Sequence, residues 1–442
     1  MSELLIQNCD VLSLQDGAIH IQTGRDIHVR DQHIAAVAEH SSLPVPPQAQ
    51  TLDGSHLLAI PGLMNVHTHA PMVLFRGLAE DVTVQAWFND YIWPLEANLT
   101  PEDVYWGAML SIAEMIQNGI TFFADHYFFM DEVGRAVEES GLRADLAWAV
   151  FAHEGEEKLE QTCEFAQRWQ GKAQGRITTR LGPHAPYTTG PDFLRLCARR
   201  AQELNLGIHT HVSETAEQVD LSRREHGITP IQMLAETGIL DCPTILAHCL
   251  YPAEEDYPLL KQARTGVAHA PKTYMKLGMG HAGLSRLRAG GIPIGLATDG
   301  AVSSNTLDIL EQMRLMALTQ KDAAADSTIM PLAEVLEIAF EGSARVAGQE
   351  GVLGRLEAGF LADITLLRQD GAHVFPRYDP AANLVYASTA ADVDTVICNG
   401  RILMQGRRLL TIDLDGIKKE LSKRLDHLQQ RSPGKRIAFY PA

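Results

Sequence analysis

Between Ala59 and Gly300 short apolar runs recur, with helical stretches between most of them. This alternation constrains the chain more than any other feature. Eight runs read as strands: Leu58–His67, Ile120–Ala124, Ala144–Phe151, Ile177–Leu181, Gly207–His211, Thr244–His248, Gly266–His269 and Ile292–Thr298. Eight strands in βα alternation over roughly 250 residues match a closed parallel barrel. One intervening helix is well marked. Thr100 suits an N-cap, Pro101 the first helical position and Glu102 and Asp103 the first turn, and Gly119 stops it.

The flanks differ. Leu4–Leu12, Ala18–Gln22, Asp26–Arg30 and His33–Ala38 are brief β-type runs, and a β-rich tail spans Ala362–Leu367 to Arg407–Leu410. Helical stretches are expected over Asn305–Gln320 and Pro331–Ala347. In the last stretch, Ile417–Gln430, Ile417, Leu421, Leu425 and Leu428 share one face. The expected architecture is α/β, a (β/α)8 TIM barrel with a small β-sandwich built from both chain ends. Residues 1–57 supply the N-terminal part of the sandwich and 58–350 the barrel. Residues 351–442 supply the rest of the sandwich and a terminal helix.

Charge and cysteine usage exclude several classes. The net charge of −18 disfavours nucleic acid and anionic membrane as partners. No run of about 18 apolar residues offers a membrane span. The six cysteines are scattered without a C-x-x-C pair, so a reducing cytoplasm is the expected compartment.

In a closed barrel, reactive groups belong at the C-terminal ends of the strands. The first strand ends in Val66-His67-Thr68-His69, whose imidazoles, two residues apart, point to one face. The fifth ends in His209-Thr210-His211-Val212-Ser213-Glu214, the sixth in Ala247-His248-Cys249 and the eighth in Thr298-Asp299-Gly300. Three histidines and one aspartate suit zinc or ferrous iron.

These motifs resemble the amidohydrolase superfamily. Pro61-Gly62-Leu63-Met64-Asn65-Val66-His67-Thr68-His69 is similar to its opening motif, and the later motifs follow in order. The run Gly354–Asp363 resembles its return into the accessory sandwich. The segments Trp93–Thr100, Leu181–Tyr187 and Thr298–Asn305 are similar to the methylthioadenosine/S-adenosylhomocysteine deaminases, a branch implied to remove the exocyclic amine of an adenine ring.

The resemblance implies one divalent metal ion, zinc or alternatively ferrous iron, held by His67, His69, His211 and Asp299. It implies Glu214 as proton shuttle and His248 as the residue polarising the attacking water. Glu96 would hold ribose hydroxyls, and His184 and Ser303 would line the nucleoside pocket. The chemistry is consistent. A metal lowers the pKa of bound water from about 15.7 to about 7. Asp299 can take a proton from that water, and Glu214 can deliver one to the ring nitrogen beside the attacked carbon.

Two-metal members use a carboxylated lysine at the end of strand four. Thr178–His184 contains none, so one ion is expected. His209 shares a face with His211 but lies deeper. His153 follows strand three closely enough to touch a ligand. His126, His269 and His281 fall outside every motif.

Two positions depart from the deaminase pattern at expected substrate-facing sites. Tyr274 stands where the family has a small amide. Trp148 stands near the place of the arginine implied to meet the amino-acid tail of homocysteine, and Arg143 lies five residues earlier. The partner implied is a small heterocycle. Within the adenine reading it is 5′-methylthioadenosine, S-adenosylhomocysteine or adenosine. The alternative is another nitrogen heterocycle, such as guanine, a pterin or an s-triazine, losing amine or chloride. A homo-oligomer, dimer or tetramer, is expected by the same resemblance.

Overall fold

The computed structural model describes residues 3–44, 47–432 and 434–440. The N-terminal segment forms β1 (Glu3–Gln15), β2 (Ala18–Arg30), β3 (His33–Glu39), β4 (Gln50–Asp53) and β5 (Leu57–Pro61). The barrel follows as β6 (Leu63–Thr68), β7 (Ile120–Tyr127), β8 (Arg143–Val150), β9 (Ile177–Pro183), β10 (Gly207–Val212), β11 (Thr244–His248), β12 (Thr265–His269) and β13 (Ile294–Leu296). The chain then returns as β14 (Ile364–Arg368), β15 (Val393–Cys398), β16 (Arg401–Gln405) and β17 (Arg408–Leu409).

β6 to β13 lie in chain order in one eight-stranded sheet, each parallel to the next. The first and last strands meet at a seam. There Asn65 Oδ1 accepts from Thr298 N (2.9 Å), and the Asp299 amide donates to His67 O (3.1 Å). The two ends of the (β/α)8 alternation are thereby stitched together, which sets Asp299 beside His67. Every residue of β7 is buried, as expected of a strand covered on both faces.

The accessory sheet joins the two chain ends. β5 runs parallel to β1 and antiparallel to β14, with Ile60 opposite Thr365. The expected first barrel strand is therefore two strands in two sheets. The division falls at Gly62, where a Cβ would sit 2.2 Å from Thr121 Oγ1, so only glycine allows the chain to pass from one sheet to the other. Ala18–Gln22 and Asp26–Arg30 instead form one strand. Gly24, with φ of 60°, lies within it, and the register against β1 shifts around Cys9, so these turn-type residues mark a bulge.

The helix Pro101–Gln117 forms with Thr100 and Asp103 as a capping box and Gly119 left-handed after it. The C-terminal helix is shorter than its pattern. It spans Leu414–Ser422, breaks, and resumes as Leu425–Leu428, which leaves Leu425 44% exposed. It packs on the helix Pro101–Gln117, where Arg424 pairs with Asp103 at 3.0 Å. Among the described residues no helix is long and apolar enough to cross a membrane.

Candidate active site

The parallel sheet delivers His67 and His69 from the end of β6, His211 from β10, His248 from β11 and Asp299 just past β13. Their donor atoms converge. His69 Nε2 and His211 Nε2 lie 3.3 Å apart, and Asp299 Oδ1 is 3.4 Å from His69 Nε2 and 3.5 Å from His67 Nε2. His67, His69 and His211 form one group able to hold an ion, and His67, His248 and Asp299 another that shares His67.

Hydrogen bonds fix the tautomers. His69 Nδ1 donates to His126 O (2.5 Å) and His211 Nδ1 to His184 O (2.8 Å), so each Nε2 keeps its lone pair. His67 Nδ1 meets His209 Nε2 at 2.8 Å, while His67 Nε2 is buried with no hydrogen-bond partner among the described residues. Burial holds the His67 imidazole down at about 3, hence neutral. Neutral imidazoles with free Nε2 atoms beside a carboxylate are what a divalent ion requires, so the residues fit the group. His209 stands behind His67 and orients it.

The backbone is strained at this edge. Ser213, His248, Cys249 and Asp299 all adopt left-handed φ, between 46° and 71°. Such outliers among non-glycine residues cluster where surrounding structure holds a functional geometry.

A cleft of about 590 Å³ opens above these groups. Glu214 lines it and is 5% exposed. Gln218 Nε2 donates to Glu214 Oε2 at 3.3 Å, Gln218 Oε1 accepts from the Glu214 amide at 3.0 Å, and His248 Nε2 lies 3.7 Å from Glu214 Oε1. Burial raises the Glu214 carboxyl above its ordinary range, which suits a group that must hold a proton and give it up.

Glu96 and His184 line the same cleft. The His184 ring stacks on Phe151, 4.6 Å between centroids, and its Nδ1 is 2.9 Å from Thr188 Oγ1. Trp87, Phe88, Trp93 and Phe128 add aromatic lining to the cleft, with Trp93 6.5 Å from the His184 ring and Phe128 6.3 Å from Phe151.

Three expected pocket residues stand elsewhere. Trp148 is half-buried outside the barrel, against Phe165 at 5.5 Å and beneath Lys158 Nζ at 4.4 Å. The neighbouring Ala149 takes the inward place. Tyr274 lies beneath His248, outside the cleft lining, with its ring 5.8 Å from that imidazole and its hydroxyl accepting from the Ala270 amide. Ser303 turns away from the cleft, and its Oγ donates to Asp299 Oδ2 at 2.6 Å. Ser303→Ala is therefore expected to weaken retention of a divalent metal ion about 10–100-fold with little change in KM. Competition with a chelator checks this; a raised KM with metal retention unchanged would return Ser303 to the substrate pocket.

Two further positions are settled by geometry. His153 is exposed and absent from the cleft lining. Arg143 is buried at the opposite end of β8, bound to Asp363 and Asn399. The sequence patterns missed Asp125, whose Oδ1 accepts from the Ala70 amide and whose carboxyl burial pushes up to about 7. They also missed His126, whose carbonyl fixes His69. Neither residue belongs to a motif; only its place at the end of β7 marked it.

A parallel eight-stranded barrel with an accessory sheet and a His/Asp centre at its C-terminal mouth is the architecture of a metal-dependent hydrolase. The chain belongs to the amidohydrolase family, whose sequence model matches residues 58–403. It is 42% identical over 423 residues to the 5-methylthioadenosine/S-adenosylhomocysteine deaminase of Desulforudis audaxviator (strain MP104C), covering 95% of this chain and 97% of that one. It is 41% identical to the enzyme of the same name from Halothermothrix orenii (strain H 168 / OCM 544 / DSM 9562), covering 97% and 99%. Its fold is similar to a zinc-bound adenosine deaminase from Xanthomonas campestris, with a TM-score of 0.92 and 27% identity over 97% of this chain and 99% of that one.

Proposed function

We propose that the protein hydrolytically deaminates an adenine nucleoside with a small, uncharged 5′ substituent, 5′-methylthioadenosine or adenosine, using one zinc ion held by His67, His69, His211 and Asp299. The ion supplies Lewis acidity, which makes water nucleophilic near neutral pH. Asp299 accepts the proton of that water. Glu214 protonates the ring nitrogen next to the amine-bearing carbon as the C–O bond forms. His248, 3.7 Å from Glu214, steadies the oxygen at the tetrahedral carbon. The C–N bond then breaks: the proton held by Asp299 passes to the departing amine, which leaves as ammonia, and the hydroxyl proton on the tetrahedral carbon passes to Glu214 as the carbonyl forms.

Glu96 is the observation that carries the nucleoside reading. It is 5% exposed and lines the cleft, and its Oε1 has no hydrogen-bond partner among the described residues. Burial pushes its carboxyl up to about 8, against the neighbouring Tyr127 hydroxyl, which lowers it. An unsatisfied acceptor in a cleft is costly until a donor arrives, and vicinal ribose hydroxyls are such donors. Among the described residues no lysine or arginine lines the cleft, which favours a small 5′ substituent over the carboxylate-bearing homocysteine tail. The names of the two relatives and the adenosine deaminase likeness support the adenine ring. The bound zinc of that solved structure supports the choice of ion. Six free cysteines, all buried, support a reducing compartment such as the cytoplasm.

Ammonia release from a panel of 5′-methylthioadenosine, adenosine, S-adenosylhomocysteine, guanine, a pterin and an s-triazine tests this. Turnover of the first two above the others is expected. Release only from the last three would replace the nucleoside reading with the alternative ring.

Glu96→Gln should raise KM for nucleosides about tenfold or more, because the amide nitrogen can only donate where a carboxyl oxygen would accept from a ribose hydroxyl. It should also flatten the pH dependence of stability. Between about pH 4.5 and 8 the unfolded carboxyl ionises while the folded one keeps its proton, so the native protein loses stability as pH rises through that window. The variant lacks this loss. Melting temperatures at pH 5 and pH 8 check the sign.

A further inference from the structure

The end of the chain folds back over the barrel mouth. Arg431 lies 4.6 Å over the Tyr91 ring, and the Ser432 amide donates to Pro94 O at 3.0 Å. Phe439 is 59% exposed, yet Tyr440 beside it is 4% exposed, so the burial belongs to a specific seat. Asn89 brackets the Tyr440 backbone, its Nδ2 donating to the carbonyl and its Oδ1 accepting from the amide, both at 2.9 Å.

The Tyr440 ring touches the cleft wall at Phe88 and, outside the cleft lining, Tyr187. It stacks flat on Phe88, 4.9 Å between centroids at 4°, and meets Tyr187 edge-on at 5.6 Å. Its hydroxyl is 2.7 Å from Thr215 Oγ1. Thr215 follows Glu214 in the chain and caps the next helix by accepting from the Gln218 amide at 3.4 Å. Gln218 in turn holds both the amide and the carboxylate of Glu214. One side chain thus links the aromatic wall to the loop that carries the proton shuttle, and it comes from the far end of the sequence.

We propose that Tyr440 is a positioning residue that sets the spacing between Phe88 and Glu214, with its ring acting on the substrate wall and its hydroxyl on the acid–base loop. This rests on the deaminase reading above. The two contacts separate by substitution. Tyr440→Phe keeps the stacked ring and loses the hydroxyl, so kcat should fall about fivefold with KM within about twofold, the scale of one hydrogen bond. Tyr440→Ala loses both, so KM should also rise about tenfold as the wall loses its aromatic partner. A merely structural tail would give no such split.

Acrylamide quenching of tryptophan fluorescence supplies a readout without turnover. Trp87 and Trp93 flank Phe88, so quenching should increase in the Ala variant and match wild type in the Phe variant. With an active wild type, both kinetic constants within about twofold of wild type in both variants, or KM unmoved in the Ala variant, overturn the proposal. A wild type inactive on the whole panel refutes the deaminase reading instead. Quenching then decides Tyr440 alone: an increase in the Ala variant supports its seat on the wall, and no difference overturns it.

Discussion

Glu214→Gln should lower kcat about 10³-fold while leaving one equivalent of zinc in place. The substitution is isosteric. Gln218 can still hold the side chain, and the neighbouring loop keeps its capped helix. What disappears is the proton. Burial raises the carboxyl and so favours its protonated form, which can give its proton to a ring nitrogen and recover one that came in with the attacking water. An amide can do neither. KM should change little, because Glu96 and the aromatic wall lie elsewhere in the cleft. Steady-state ammonia release and elemental analysis on the same sample check the prediction. Turnover within tenfold of wild type would remove Glu214 from proton transfer. Loss of zinc in parallel would make it a ligand instead.

What the sequence disclosed depended on how local the information was. The His67/His69 pair, His211, His248 and Asp299 stood at strand ends, and a parallel barrel brings all strand ends to one mouth, so their convergence followed from topology. Side-chain direction was less legible. Alternate residues of a strand face opposite ways, so an error of one position in β8 exchanges Trp148 for Ala149. Ser303 read as lining the nucleoside pocket, and its bond to Asp299 was not legible, because it depends on the left-handed turn at Asp299 that folds the hydroxyl back on the carboxylate. Gly62 read as part of one long strand because the crowding by Thr121 that forces the change of sheet comes from another strand. Tyr440 carried no signal at all. Its partners Phe88, Tyr187 and Thr215 are more than 200 residues away, and nothing in the tail's composition announces a seat at the cleft.

Asp299→Asn should reduce activity about 10³-fold or more, since it removes both an anionic ligand and the acceptor of the water's proton. Zinc content should fall with it. Wild type is expected to hold one equivalent per chain, because the end of β9 offers no lysine to bridge a second ion. Two equivalents would contradict that reading. Stability should fall in both metal states, and by more with zinc. In the metal-free protein Asp299 is a buried carboxylate that accepts from Ser303 Oγ and faces His67 and His69. Burial alone would raise its carboxyl, but the His67 and His69 imidazoles beside it outweigh that and hold it below the usual carboxylate range. An ionised group that the fold favours stabilises the native state near neutral pH, so the asparagine variant should melt below wild type after chelation. The gap should widen with zinc, because the ion binds the folded carboxylate site far better than the unfolded chain and stabilises wild type by mass action, which the variant largely forfeits. Melting curves of both proteins, chelated and zinc-loaded, test the widening. An equal gap in the two states would remove Asp299 from the ion's ligands.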